Sequence, residues 1–204
     1  MIDTPIQALT NPNTHLDNQA VRDLLERYEC PFGFHEVRAR FMGAIASPVP
    51  GVVPLNDVSS LWGGELPAVN SMEEVDAFVT TLIKGLWTPL AQTGLQEEAF
   101  ELLPFSGEAD WPQLQRLCQI RLEEIQGFLD GFFQGLSELN LPSEAANCFN
   151  SLSELEEFFA NLISLTAPAQ DDLATLADQI DELSEIATVE INNLMALASA
   201  SKTV

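Results

Sequence analysis

Basic residues are scarce in this 204-residue chain: eight Lys and Arg stand against 31 Asp and Glu, a formal net charge of −23. So few cations argue against a surface that tracks phosphates, because such surfaces draw their affinity from Lys and Arg. They argue equally against attraction to an anionic lipid surface. No direct nucleic-acid partner and no membrane are therefore expected. Long apolar runs are missing too; nothing approaches the roughly 18 residues a membrane-spanning helix needs. Residues 1–18 have neither a basic head nor an apolar core, so no secretory signal is read there. The three cysteines, Cys30, Cys118 and Cys148, are odd in number and widely spaced. Reduced thiols in a cytoplasm are the expectation, without a disulfide framework or a C-x-x-C metal or redox site.

Catalytic vocabulary is thin. There are two histidines, His15 in a polar N-terminal stretch and His35 at a helix start. No G-x-S-x-G elbow offers a nucleophile, no E-x-x-H pair offers a di-iron site, and no D-x-D-x-D-G loop offers a calcium site. His35 reads as a capping or partly buried residue, and Cys118, among Leu114, Leu117 and Ile120, as a small core residue. Carboxylates pair at i,i+4 in Asp178 with Glu182 and Asp181 with Glu185. Oxygen sites need more ligands from a shaped loop, so a solvated helix face is the reading. No catalytic, cofactor-binding or metal residues are assigned, and no cofactor is expected.

The chain does have apolar residues at helical spacing nearly throughout; its 46% apolar content is that of a globular domain and not of an acidic tail. Asn18 is placed to cap a helix through about Glu29, stopped at Cys30-Pro31. A second helix spans about Phe34 to Ala46, followed by a Pro-rich loop from Ser47 to Pro54. A short helix covers Leu55 to Trp62, ended by Gly63-Gly64. Ser71 with Glu74 forms a capping-box signature opening a helix to about Ala91, which Pro89 kinks or ends. Asp110 starts a long helix toward Leu139. Ser153 with Glu156 suggests another box for a helix to Leu165, Pro168 breaks it, and Asp171-Asp172 begin the last, toward Ala198. Nothing alternates with period two over a useful length. The fold expected is all-α, a compact single-domain bundle of about six to eight helices. Residues 18–200 form the domain, with a flexible segment at 1–17 and a tail at 201–204.

Gly127, Gly131 and Gly135 fall at i, i+4 and i+8, one face of a helix. Each helical Gly costs about 1 kcal/mol relative to Ala, so three together ask for a close backbone approach in return. That approach is either an intramolecular crossing or a self-association face, which leaves a homo-oligomer, a homodimer above all, open. Arg22, Arg27, Arg38 and Arg40 are half of all the basic residues and sit in one helical hairpin. They read as internal ion pairs or as a recognition patch. Trp62, beside two glycines, reads as a core residue or a surface anchor.

The stretch Phe34-His35-Glu36-Val37-Arg38-Ala39-Arg40-Phe41-Met42-Gly43-Ala44-Ile45, its Pro-rich loop and Leu61-Trp62-Gly63-Gly64-Glu65 together resemble the first half of the YecA/YgfB-like bacterial proteins. Ile125-Gln126-Gly127-Phe128-Leu129-Asp130-Gly131 is similar to their second glycine-bearing helix. The resemblance spans about Leu24 to Leu197 and implies a small all-helical protein with no assigned enzymatic activity. Arg38 stands where the family's pattern has His and Ala39 where it has Gly, while Glu36 and Gly43 persist. No cysteine follows Cys148, so the Cys-rich zinc module that ends some relatives does not carry over.

The expected role is a non-enzymatic acidic protein that binds an unidentified protein partner as adaptor or regulator. The interaction or helix-packing candidates are Arg38, Arg40, Gly43, Trp62, Gly127, Gly131 and Gly135. Two other readings stay open: an acidic decoy for a basic nucleic-acid-binding partner, and a carboxylate-based metal-dependent enzyme. The stretch 122–201 motivates the decoy, since it holds 15 acidic residues and no basic one.

Overall fold

The computed structural model describes residues 18–95, 99–104, 110–166 and 172–201. The segments 1–17 and 202–204, His15, Pro168 and Asp171 lie outside the described residues. Among those described, the chain is all helix and turn with no strand. The helices are α1 (Asn18–Arg27), α2 (Phe34–Ala46), α3 (Pro54–Ser60), α4 (Met72–Phe78), α5 (Thr88–Leu95), α6 (Trp111–Phe133), α7 (Ala145–Ser164) and α8 (Leu173–Ser201). A π-helical segment, Val79–Trp87, joins α4 to α5 without a break. With that continuous rod counted once, seven helices pack together among the described residues.

Helix α2 and helix α6 form the closest-packed pair. Helix α1, α5 and the π segment lie against α2, whereas α7 and α8 lie against α6. The molecule is thus two helical layers riveted by one crossing. The buried side chains are those the apolar spacing selects: Val37, Phe41 and Ala44 of α2; Leu82 and Leu86 of the π segment; Ile125, Phe128 and Phe132 of α6; Ile180, Ala187, Ile191 and Leu194 of α8.

Local signals explain several boundaries. The Ser71 hydroxyl accepts from the Glu74 amide at 3.2 Å, and the Glu74 carboxylate accepts from the Asn70 amide at 2.6 Å, a slightly displaced capping box. Asp110 caps α6 by accepting from the Gln113 amide at 2.8 Å.

Three boundaries differ from the sequence reading. Pro89 does not end its helix, which runs on to Leu95. The Thr88 amide bonds five residues back to the Ile83 carbonyl, and Pro89, with no N–H to give, falls where the ladder returns to α spacing. Helix α6 stops at Phe133 and not near Leu139, because Gln134 and Gly135 turn left-handed, at φ of 51° and 75°. Leu136 is consequently half exposed and outside the helix. Helix α7 begins at Ala145, so Ser153 is an exposed mid-helix residue and caps nothing.

Candidate functional site

The glycines make the α2–α6 crossing possible. A Cβ on Gly131 would stand 2.8 Å from the Arg40 carbonyl carbon and 2.9 Å from the Ala44 nitrogen, with the Arg40 oxygen nearer still. One on Gly127 would meet the Glu36 carbonyl in the same way, 3.0 Å from its carbon. From the other side, one on Gly43 would lie 2.8 Å from the Phe132 nitrogen. The paired positions 36 with 127 and 40 with 131 advance together, so the two helices run parallel. Gly135 does not belong to this face. It sits past the helix end with open space where a Cβ would go, and its positive φ is the reason for glycine there. The Ser47 hydroxyl closes the far end of the crossing, donating to the Phe132 carbonyl at 2.7 Å.

One turn toward the N-termini of both helices, the interior becomes charged. Glu124 of α6 is fully buried, and Arg121 is 5% exposed. The Arg121 Nη1 donates to Glu124 Oε2, its Nε to the Ser184 hydroxyl of α8 at 3.0 Å, and its Nη2 to the Leu103 carbonyl at 2.9 Å. The other Glu124 oxygen accepts from the Leu103 amide at 3.1 Å. From α2, His35 Nδ1 approaches that oxygen at 3.8 Å, while its Nε2 meets Arg22 Nη2 at 3.2 Å. Arg38, 8% exposed, donates to the Glu101 carbonyl at 3.0 Å and lies 4.5 Å over the Phe100 ring. Burial pulls its pKa down, and Glu124 and Glu101 work against that. The cluster ties α2, α6, α8 and the segment 100–103 together. With Glu124 wholly enclosed, the cluster is a polar strut between these elements.

The remaining candidates divide between interior and edge. Arg40 pairs with Asp130 at 3.3 Å and lies 4.7 Å over the Phe32 ring; Arg27 pairs with Glu74 at 3.1 Å; Arg22 lies 4.3 Å over Phe34. The hairpin's arginines are spent on internal partners, and Arg38 is a packing residue with little surface. Trp62 is half-buried, donates its indole N–H to the Tyr28 carbonyl at 2.9 Å and meets Phe78 edge-on, so it is no free anchor. Cys118 and Cys148 are buried, which raises both thiols to about 11. At that value they stay protonated and poorly nucleophilic. No group of three or more metal-ligating side chains gathers among the described residues. Among them, too, no helix is long and apolar enough to cross a membrane.

Glu36 sits beside this crossing, where burial first, then the neighbouring Glu123 and Asp130, raise its carboxyl to about 7 against the relief given by Arg40. The folded chain therefore holds this proton more tightly than the unfolded chain between the ordinary value of 4.5 and about 7. Stability from this residue falls as pH rises through that window. Glu36→Gln is expected to gain roughly 1 kcal/mol on the parent between about pH 5 and about pH 8, after solvent screening. Urea denaturation of both proteins at the two pH values checks it; a constant difference refutes it.

The outer surface of the C-terminal layer is different in kind. Asp178, Asp181, Glu182 and Glu185 of α8 and Glu154 and Glu157 of α7 are exposed, and no cation pairs with any of them among the described residues. Ile186 and Val189, on the same side of α8, are 40% and 56% exposed. At the N-terminal end of α8 a cleft of about 320 Å³ opens between Trp111, Leu162, Leu165, Leu176 and Gln179.

No protein-family model, curated protein or solved structure matches this chain. Its functional reading rests on its own residues. Sequence reasoning had marked the glycines and arginines but missed Arg121 and Glu124. Their signal was faint but present: positions 117, 121, 124 and 128 share the buried stripe of α6, so two charges there had to be enclosed together.

Proposed function

We propose that this chain is a non-enzymatic, acidic helical protein that works by binding another protein, as an adaptor or regulator. The observation that carries the reading is the separation of charge. The arginines of α1 and α2 have partners within the chain, Arg27 at the surface, whereas the carboxylates of α7 and α8 lack counter-charges among the described residues. A surface of one sign steers and selects a partner of the opposite sign. Reduced cysteines fit a cytoplasmic setting, and the resemblance to the YecA/YgfB-like proteins agrees with a helical protein lacking catalytic machinery. The glycine face is occupied by α2, so it is not free for a second copy of the chain.

The test is cross-linking of the full chain in its native host, with the captured protein identified and the complex rebuilt from purified components. A stoichiometric complex is the expected result. A stoichiometric bound metal, or robust turnover of a metabolite by the purified chain, contradicts the reading. The decoy version is favoured by the uninterrupted acidity of residues 122–201. It requires in addition that the partner bind nucleic acid through the same basic surface, so the chain and nucleic acid should compete for it.

A further inference from the structure

We infer that the outer face of α8, together with the cleft at its N-terminal end, is a docking groove for a basic amphipathic helix. The inference rests on the interaction reading above and gives it a surface and a partner chemistry. Thr175, Glu182, Ile186 and Val189 recur at spacings of seven, four and three, so they lie along one line of the helix. Asp178, Asp181 and Glu185 flank that line on one side, and all seven residues are exposed. The apolar pair is thus set beside a row of carboxylates, and the cleft continues the same surface past Gln179 to Leu176, Leu165 and Trp111.

The length from Thr175 to Val189 is about 21 Å at the rise of an α-helix. That matches about four turns of a partner helix laid along it. Such a helix presents apolar side chains at i, i+3, i+4 and i+7 to the groove and Lys or Arg at its margin. Charge complementarity selects this occupant. A second copy would bring the same carboxylates to the same place, and like charges in apposition repel. The arginines of α1 and α2 are engaged elsewhere, and the exposed Lys84 is a single cation, too few to answer a row of carboxylates. A basic helix satisfies both halves of the surface, covering Ile186 and Val189 and pairing with carboxylates that have no cationic partner among the described residues.

The probe is a dye-labelled synthetic peptide of about 18 residues, Leu and Lys in an amphipathic helical pattern, titrated with the full chain by fluorescence anisotropy. Ile186→Glu with Val189→Glu is the decisive variant, since it removes apolar surface while adding two negative charges. Docking is expected to weaken binding by on the order of tenfold, and the residual affinity to fall with salt. Diffuse attraction to an acidic protein gives the opposite, unchanged or tighter binding, and overturns the inference. Glu154→Gln with Glu157→Gln, on α7, should leave affinity within about twofold; a loss as large as that of the α8 pair also overturns it. Circular dichroism confirms that each variant folds, which exposed positions favour. If the native partner binds the parent and the Ile186/Val189 variant equally, the α8 groove is refuted while the interaction reading stands. If no partner is captured at all, the broader reading fails first.

Discussion

Glu124→Gln is expected to lower stability by about 3–5 kcal/mol, the usual cost of stripping one member from a buried ion pair. The side chain is fully enclosed, and its removal as a charge leaves the Arg121 guanidinium without its carboxylate. Arg38 loses as well, because Glu124 is the leading charge that offsets its burial. The amide keeps an acceptor for the Leu103 N–H, so the loss reports charge and not simply a missing hydrogen bond. Arg121→Met with Glu124→Leu should cost less than the two single changes added together, since neither partner of the pair is then left facing an empty place, although Arg38 still loses Glu124. It will not be free, because Ser184 and both backbone groups of Leu103 lose their partners, each worth about 1–3 kcal/mol when buried. Urea midpoints for the parent, Arg121→Met, Glu124→Leu and the double variant give the coupling directly, and Glu124→Gln is measured beside them. Additive losses, or a Glu124→Gln protein as stable as the parent, would show that the strut carries no weight.

Gly131→Ala should be destabilising by about 2–3 kcal/mol, although alanine is the better helix former by about 1 kcal/mol. The sign is decided by space. A methyl group there meets the backbone of α2 at Arg40 and Ala44, and a helix backbone cannot swing aside as a side chain can. The two layers must separate, opening Phe128, Phe132 and Phe41 to loosened packing. Gly135→Ala is the control. It meets no atom, so its loss should be the conformational one alone, about 1 kcal/mol for a left-handed backbone. Thermal or chemical unfolding separates the two; a Gly131→Ala protein more stable than its parent would mean the helices do not touch at this point.

What could be read in the sequence and what could not follow from the same physics. Ser71 and Asp110 marked helix starts because capping is local chemistry, decided by one side chain and an amide two or three residues on. Gly127 and Gly131 announced a crossing because a helical glycine costs stability that only packing returns. Their partner helix was not legible, since the contact joins residues about ninety apart in the chain. The end of α6 was misread because Phe132, Phe133 and Leu136 prolong the apolar rhythm past Gly135, and the C-terminal glycine signal was absorbed into the glycine series. The start of α7 was missed because Ser153 and Glu156 imitate a cap on an exposed mid-helix face. The π segment leaves little trace, since Phe78, Leu82 and Leu86 satisfy α spacing as well. Arg121 and Glu124 lie on the buried stripe of α6, but the groups that satisfy them come from α8 and residues 101–103, far away in the chain. Local signals were visible; enclosure was not.

The charge separation that supports a binding role has the same origin. Residues 1–121 carry a net charge of −9 and residues 122–201 one of −15. The fold gives the arginines of α1 and α2 partners within the chain and turns most carboxylates of α7 and α8 outward, while Glu124 of α6 is enclosed. The most direct measurement is hydrogen–deuterium exchange of the full chain, alone and saturated with the partner recovered by cross-linking. A binding role centred on the C-terminal layer requires slowed exchange along α8 while α1 to α3 stay unchanged. Protection confined to the N-terminal layer, or none anywhere at saturation, would contradict it.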